Sequence, residues 1–170
     1  MSASQYEREL KYILEGEKNT IAKITKTCSP IEKDNYSKIF DKPFAVIRAA
    51  GSLGFDLVAV RGDISFLTEV KTSVVNTLHF SSVGGKLQKQ AENMREVCEK
   101  TKTLPIYAFR IKSYHGDSWR IFTLDIKNLD GRTNILHKRL PKLNKSKNGN
   151  YVMRWDEGMP LSDFISYLCK

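Results

Sequence analysis

The chain has 170 residues, long enough for one domain with its own core. Its 28 Lys and Arg residues against 19 Asp and Glu residues give a net charge of +9, which favours a polyanionic partner, although a merely basic protein has the same excess. The cysteines, Cys28, Cys98 and Cys169, are an odd number without close spacing, which argues against a disulfide framework or a zinc site. The polar amino terminus and the lack of a long apolar run predict a cytoplasmic protein with no membrane partner.

The first third of the chain is predicted to be mainly helical. A helix runs from Ser2 or Ser4 to about Leu14, and Ser4 followed by Glu7 is typical of a capping box. The next segment is expected to form an extended helix and then a short helix at about 32–40.

The rest of the chain alternates between strands and a long helix. Five strands are predicted, at about 45–49, 55–60, 64–72, 106–111 and 120–124. A loop or short strand at 78–85 and a helix at 86–101 separate the third strand from the fourth. This alternation predicts an α/β fold in which a mixed central sheet is flanked by helices.

Charged residues stand at the ends of two of these strands. Asp56 lies at the mouth of the second strand, and Glu69 and Lys71 lie two apart on the third, so that they share one face while Val70 points the other way. If the two strands pair as a hairpin around Arg61-Gly62-Asp63, Asp56 comes next to Glu69. Two carboxylates with a nearby ammonium are suited to Mg²⁺, which takes oxygen ligands and keeps several waters.

The order Asp56, then Glu69-Val70-Lys71 about a dozen residues later, is similar to the PD-(D/E)xK nuclease signature. The same three residues also occur on neighbouring strands of α/β proteins where the charges merely line a solvated face. The motif alone leaves both interpretations open.

The surrounding sequence resembles the archaeal Holliday-junction resolvase (Hjc-like) family. The resemblance covers most of residues 4–15 and 44–125, and it is carried by Tyr6–Leu10, Phe44–Arg48, Ala50–Ser52, Asp56–Ala59, Pro105–Arg110 and Trp119–Phe122. Two segments depart from the family pattern as insertions, at about 16–43 and about 127–150. After the second insertion, Gly158–Ile165 again resembles the family's closing segment.

The resemblance implies one nuclease domain over residues 1–170, with a restriction-endonuclease-like α/β core. It implies a Mg²⁺-dependent endodeoxyribonuclease, with Mn²⁺ as a substitute, that resolves four-way DNA junctions by phosphodiester hydrolysis. Such an enzyme acts as a homodimer in DNA recombination and repair, at the nucleoid. Two other interpretations stay open, a nuclease of this fold acting on duplex, flap or single-stranded DNA, and a non-catalytic nucleic-acid-binding module.

The family pattern also assigns the metal and catalytic residues. It implies metal ligands at Glu7, Asp56, Glu69 and the Val70 carbonyl, with Lys71 orienting the attacking water or stabilising charge on the phosphate. Glu7 is preferred to Glu9 because it precedes the arginine of the motif. Without the resemblance, the sequence favours Glu7 as a carboxylate that complements the start of its helix.

DNA-binding roles follow for four further residues. Arg8 and Arg48 resemble phosphate clamps, Ser52 a hydrogen-bond donor to the scissile phosphate, and Lys86 a DNA contact. The alternatives are exposed surface charges and, for Ser52, a turn cap.

Two predictions concern surfaces. The polar stretch with Lys138, Arg139, Lys142, Lys145 and Lys147 is either a flexible loop that contacts phosphates or simply a solvated one. Trp119 is expected to be a core or interface anchor, and the apolar surface of the homodimer is expected at the sheet edge and in the late segments around Trp119 and Phe164-Ile165.

Overall fold

The computed structural model describes residues 2–50, 54–81 and 85–170. The strands within these ranges are β1 Ala45–Arg48, β2 Leu57–Arg61, β3 Ile64–Ser73, β4 Thr77–His79, β5 Leu104–Ile111, β6 Trp119–Thr123, β7 Asn144–Lys145, β8 Tyr151–Arg154 and β9 Met159–Pro160. The α-helices are α1 Ala3–Leu14, α2 Lys18–Ile24, α3 Pro30–Ser37, α4 Lys86–Thr101, α5 Gly131–Arg139 and α6 Leu161–Leu168.

Six of these strands form a mixed sheet in the order β1-β2-β3-β5-β6-β9. β3 and β5 pair in parallel, and the other neighbours pair antiparallel. The parallel pair requires a crossover connection, and α4 supplies it. Helix α1 packs against β1, β2 and β3, while α6 packs against β6 and β9 and α4 against β5. The predicted α/β class with a mixed central sheet flanked by helices is confirmed.

The hairpin of β2 and β3 is formed as the sequence predicts. The two strands are joined by a turn at Gly62-Asp63, and Arg61 donates hydrogen bonds to both carboxylate oxygens of Asp63 across it. Alternate residues of β2, Leu57 and Ala59, are fully buried, which sets the register because a slip by one residue would expose them.

Helix α1 starts earlier than its predicted capping box. Ser2 precedes the first turn and its backbone N–H donates to Oε1 of Gln5 at 2.7 Å, so the capping pair is Ser2 with Gln5 and the predicted pair Ser4 with Glu7 is wrong. The apolar residues of this helix, Tyr6, Leu10, Ile13 and Leu14, share one face and are buried.

The first insertion contains two short helices: α3 with its following turn agrees with the predicted short helix at about 32–40, whereas the expected extended helix before it is only the seven-residue α2. Helix α1 has ended before Gly16, whose φ of 73° lies in the left-handed region. Glu17 then caps α2 by accepting a hydrogen bond from the Thr20 N–H at 2.7 Å. Helix α3 packs against α6, and a 3-10 turn at Lys38–Phe40 follows it.

The second insertion is ordered, so a flexible loop is the wrong description. It contains α5 and β7, and β7 joins β4 and β8 in a second, three-stranded sheet. No helix among the described residues combines the length and apolar character that crossing a membrane requires.

Candidate active site

The site lies at the amino-terminal end of β2, where β3 runs on beyond its last pair with β2. The last pair of the β2–β3 ladder is Leu57 with Thr68, whereas β3 remains paired with β5 as far as Ser73. Asp56 stands directly before β2 and is fixed from two sides. Its N–H donates to the Thr68 carbonyl at 2.8 Å, and its Oδ2 accepts the Val70 N–H at 2.7 Å. The backbone therefore holds the Asp56 carboxylate beside Glu69, Val70 and Lys71.

Glu69 and Lys71 lie on one side of β3 and are joined by a hydrogen-bonded ion pair. The distance from Lys71 Nζ to Glu69 Oε1 is 2.9 Å. The side chains are only 8% exposed for Glu69 and 16% exposed for Lys71. The predicted convergence of two carboxylates and one ammonium at the end of a strand is present.

Burial changes the acidity of both carboxyl groups. It raises the pKa of Glu69 to about 7, with the Asp56 charge acting in the same direction and the Lys71 ammonium opposing it. Burial also raises the pKa of Asp56, against the opposing hydrogen bond from the Val70 N–H, and nearby Glu7 adds repulsion. In the absence of a further positive charge, this pair retains protons at pH values where exposed carboxyl groups are ionised.

The donor set suits a hard divalent cation. Carboxylate oxygens from Asp56 and Glu69 stand together, and the Val70 carbonyl projects from β3 on the side of its N–H, beyond the last pair with β2. A cation there would favour the ionised form of both carboxyl groups and so oppose the burial that raises their pKa values. Among the described residues, no three His, Cys, Asp or Glu side chains form a complete ligand group. Two carboxylates are nevertheless enough for Mg²⁺, which keeps several of its waters.

The two acidic residues of α1 have different partners. Glu7 Oε2 accepts a hydrogen bond from Arg48 at 2.9 Å, and Glu7 is close enough to Asp56 to raise its pKa. Glu9 Oε1 accepts hydrogen bonds from Arg110 Nε at 2.7 Å and from Trp119 Nε1 at 2.9 Å. Glu9 is thus committed to the core, and Glu7 is the α1 carboxylate beside the site.

The predicted DNA-binding residues lie in different places. Arg48 ends β1 and is paired with Glu7 at the site. Arg8 is exposed and lines a groove between α1 and α2, away from the carboxylate pair. Lys86 is exposed at the first residue of α4. Ser52 lies outside the described residues.

Helix α4 positions the segment that leads into Asp56, a role that the sequence did not suggest. Gly54 has a φ of 83°, and a Cβ there would lie 2.8 Å from Nδ2 of Asn93 on α4. A side chain at residue 54 would be strained at this φ and would displace the Asn93 amide group.

Trp119 and Phe164-Ile165 do not supply the predicted apolar surface of the homodimer. Trp119, Phe164 and Ile165 are at most 1% exposed and pack in the core, so they are not available to a second chain. Trp119 is therefore a core anchor, held by its hydrogen bond to Glu9.

One lysine of the basic stretch has a structural role, and the other four cations are exposed. Lys142 is half-buried, and its ammonium donates to the carbonyls of His137 and Leu140 at the end of α5. Burial accordingly lowers the pKa of Lys142. The other four cations are exposed: Lys138, Arg139, Lys145 and Lys147.

Comparison with solved structures finds similarity to Hjc, a Holliday junction resolvase from the archaeal hyperthermophile Archaeoglobus fulgidus. The sequence identity is 18% and the TM-score is 0.48, and the alignment covers 75% of this chain and 89% of the Hjc chain. No family model matches the chain, and no curated protein does either.

Proposed function

We propose that this chain is a metal-dependent endodeoxyribonuclease that hydrolyses phosphodiester bonds in branched DNA. The observation that carries the proposal is that Asp56, Glu69 and Lys71 lie together at the amino-terminal end of β2, where β3 runs on beyond its last pair with β2. Buried carboxylates with raised pKa values are unfavourable for folding, and groups of this kind cluster at functional sites.

Each residue of the site has a distinct role. Asp56, Glu69 and the Val70 carbonyl would hold Mg²⁺ or Mn²⁺, and Glu7 would be able to join them. When bound, the cation lowers the pKa of a water molecule and neutralises charge on the phosphate. Lys71 orients that water or stabilises the phosphate, and its bond to Glu69 fixes the ammonium in place. Arg48, beside Glu7, is placed to contact the DNA backbone near the cleaved bond.

The proposed substrate is a four-way junction, in a recombination or repair pathway. This step is supported by the family resemblance of Tyr6–Leu10, Asp56–Ala59 and Glu69–Lys71. The net charge of +9 agrees with a nucleic-acid partner. A junction presents two equivalent strands related by a two-fold axis, so its resolution calls for a homodimer with one site on each strand.

The test is cleavage of labelled four-way junction, flap and linear duplex, with and without Mg²⁺. We expect Mg²⁺-dependent cleavage of the junction, abolished in Asp56→Asn and Glu69→Gln while DNA binding persists. Lys71→Ala should lower the cleavage rate by about 10²- to 10⁴-fold with little change in affinity. Glu15→Gln is the matched control, because Glu15 forms a similar lysine pair with Lys11 away from the site.

Each alternative has its own result. Cleavage of duplex or flap in preference to the junction would indicate a nuclease with another substrate. Binding without cleavage by the unmodified protein in either Mg²⁺ or Mn²⁺ would indicate a non-catalytic module. Full cleavage by Glu69→Gln would show that the site lies elsewhere.

A further inference from the structure

Two neighbouring apolar side chains protrude from the turn that follows β3. Val74 is 74% exposed and Val75 is 58% exposed. Exposed apolar residues are common singly, but an adjacent pair displayed so fully next to a candidate active site calls for a partner.

The turn that carries the two valines is held by hydrogen bonds on both sides. The Val75 N–H donates to Ser73 Oγ at 3.0 Å, and the Lys112 N–H donates to the Ser73 carbonyl at 2.9 Å. Beyond the valines, the Trp155 N–H donates to the Asn76 carbonyl at 2.7 Å. The fold therefore presents Val74 and Val75 on an ordered support, which reduces the entropy lost when they bind.

The position of the turn places the valines close to the catalytic residues. Val74 follows Lys71 by three residues and lies one residue beyond the end of β3, a distance on the order of 10 Å. This is the scale of a few base pairs along DNA. Lys112 and Arg154 border the turn through their backbones, and the Arg154 guanidinium lies 3.9 Å from a Glu157 carboxylate oxygen. The exposed Tyr114 lies beside the turn, in a tilted ring contact with Trp155 at a centroid distance of 4.6 Å. Because this turn directly follows the strand that carries Glu69 and Lys71, the proposed DNA substrate is the partner within reach of the valines.

We propose that Val74 and Val75 form an apolar wedge that enters the base stack at the branch point of the DNA substrate. The proposal rests on the function proposed above and concerns how the site selects its substrate. Separating stacked bases costs free energy, and the cost is least where the stack is already interrupted. A wedge therefore stabilises the complex with branched DNA more than the complex with continuous duplex, because its insertion into a continuous stack requires bases to be separated.

The test uses binding rather than cleavage, in a Glu69→Gln background that leaves the DNA intact. The variant Val74→Thr/Val75→Thr keeps the branched shape of both side chains and makes them polar. Its affinity for a four-way junction and for linear duplex of equal length is measured at one salt concentration, with 2-aminopurine at the branch point to report unstacking. We expect the ratio of junction to duplex affinity to fall about tenfold, the duplex affinity to stay unchanged and the fluorescence increase to be lost.

The control is Ile31→Thr, which removes an apolar side chain of similar exposure, 76%, from α3. It should leave the affinity ratio and the fluorescence unchanged. An unchanged ratio in the valine variant, or an equal loss on both DNAs, would overturn the wedge. Loss of dimers in sedimentation by the valine variant would also overturn it, because the valines would then join two protein chains.

Failure of the wedge and failure of the proposed function are distinguishable. If the unmodified protein binds the junction but cleaves no DNA, the nuclease proposal fails, and the affinity ratio still judges the wedge. If it cleaves the junction and the valine variant keeps the full affinity ratio, the wedge alone fails. If it does not bind DNA at all, both are wrong.

Discussion

The buried carboxyl group of Glu69 makes the stability of the metal-free protein depend on pH. In the unfolded chain its pKa is near the ordinary value of 4.5, and burial raises it to about 7 in the folded protein. Between these pH values the folded state binds a proton that the unfolded state has lost. The contribution of Glu69 to stability is therefore full below about pH 4.5 and is lost as the pH rises through 7.

We predict that Glu69→Gln makes the metal-free protein less sensitive to rising pH. A neutral amide cannot ionise, so the variant gains stability relative to the unmodified chain between pH 5 and pH 8, by an amount on the order of a few kcal/mol. Urea unfolding in the presence of a chelator measures the free energy at each pH. Glu15→Gln, at an exposed lysine pair, should follow the unmodified protein.

Addition of Mg²⁺ at pH 8 should stabilise the unmodified protein and not Glu69→Gln, because the cation replaces the proton as the positive charge at the site. If both proteins show the same pH dependence and the same response to Mg²⁺, Glu69 is not buried beside Asp56 as described.

Helix α1 serves the core and the site with different residues. Glu7 and Glu9 are two positions apart, about 200° around the helix axis. One side directs Glu9 to Arg110 and Trp119, and the other brings Glu7 to Arg48.

We therefore predict that one substitution on α1 mainly lowers stability and that another mainly lowers DNA cleavage. Glu9→Ala leaves the buried Arg110 and the Trp119 N–H without their acceptor and should lower the free energy of unfolding by about 3 kcal/mol. Glu7→Ala breaks a more exposed pair and should cost no more than about 1 kcal/mol, yet it should lower DNA cleavage. Chemical denaturation and cleavage rates of both variants, measured at a temperature where both are folded, test this. A stable, fully active Glu9→Ala protein would contradict the division of roles.

The ordered basic segment makes a prediction about salt. Replacing the four exposed cations, Lys138, Arg139, Lys145 and Lys147, with neutral residues should flatten the dependence of DNA affinity on salt. Each lost phosphate contact reduces the slope of log K against log salt by roughly 0.9. An unchanged slope would mean that the segment is only solvated. Lys142→Ala should instead destabilise the end of α5, since it removes donors to two carbonyls.

Local patterns predicted the parts of the fold that depend on local interactions. The β2–β3 hairpin and α4 follow from a turn between alternating residues and from helical spacing, and α4 has the predicted bounds of Lys86–Thr101. The strands β7 and β8 were missed because they are short and because β8 also pairs with β4, which lies some 70 residues earlier in the chain.

The same distinction applies to the candidate site. Asp56, Glu69 and Lys71 could be predicted because a two-residue period and one turn bring them together. The core role of Glu9 depends on Arg110 and Trp119, about 100 residues away, and no local pattern connects them. The buried position of Phe164 depends in the same way on its ring contact with Phe66, which has no signature in either segment.

At the scale of the whole molecule, we predict a homodimer that binds four-way junctions more tightly than linear duplex and cuts two strands of like polarity at symmetric positions. One chain carries one set of Asp56, Glu69 and Lys71. A two-fold dimer places one set on each of two equivalent strands, whereas a monomer would release a nicked junction. Sedimentation at micromolar concentration, together with cleavage of a cruciform plasmid, measures both properties. A strict monomer, or equal affinity for junction and duplex, would contradict the junction as substrate.

The packing of α3 against α6 has a consequence for the newly made chain in the cell. Tyr36 and Ile39 are fully buried, and α3 acquires its neighbour α6 only after about 120 further residues have been synthesised. At roughly 5 to 20 residues per second, this takes about 6 to 25 s. Throughout that interval the nascent chain displays apolar side chains that a chaperone can hold. A strain short of chaperones should therefore yield less active protein, and slower translation should not compensate for it.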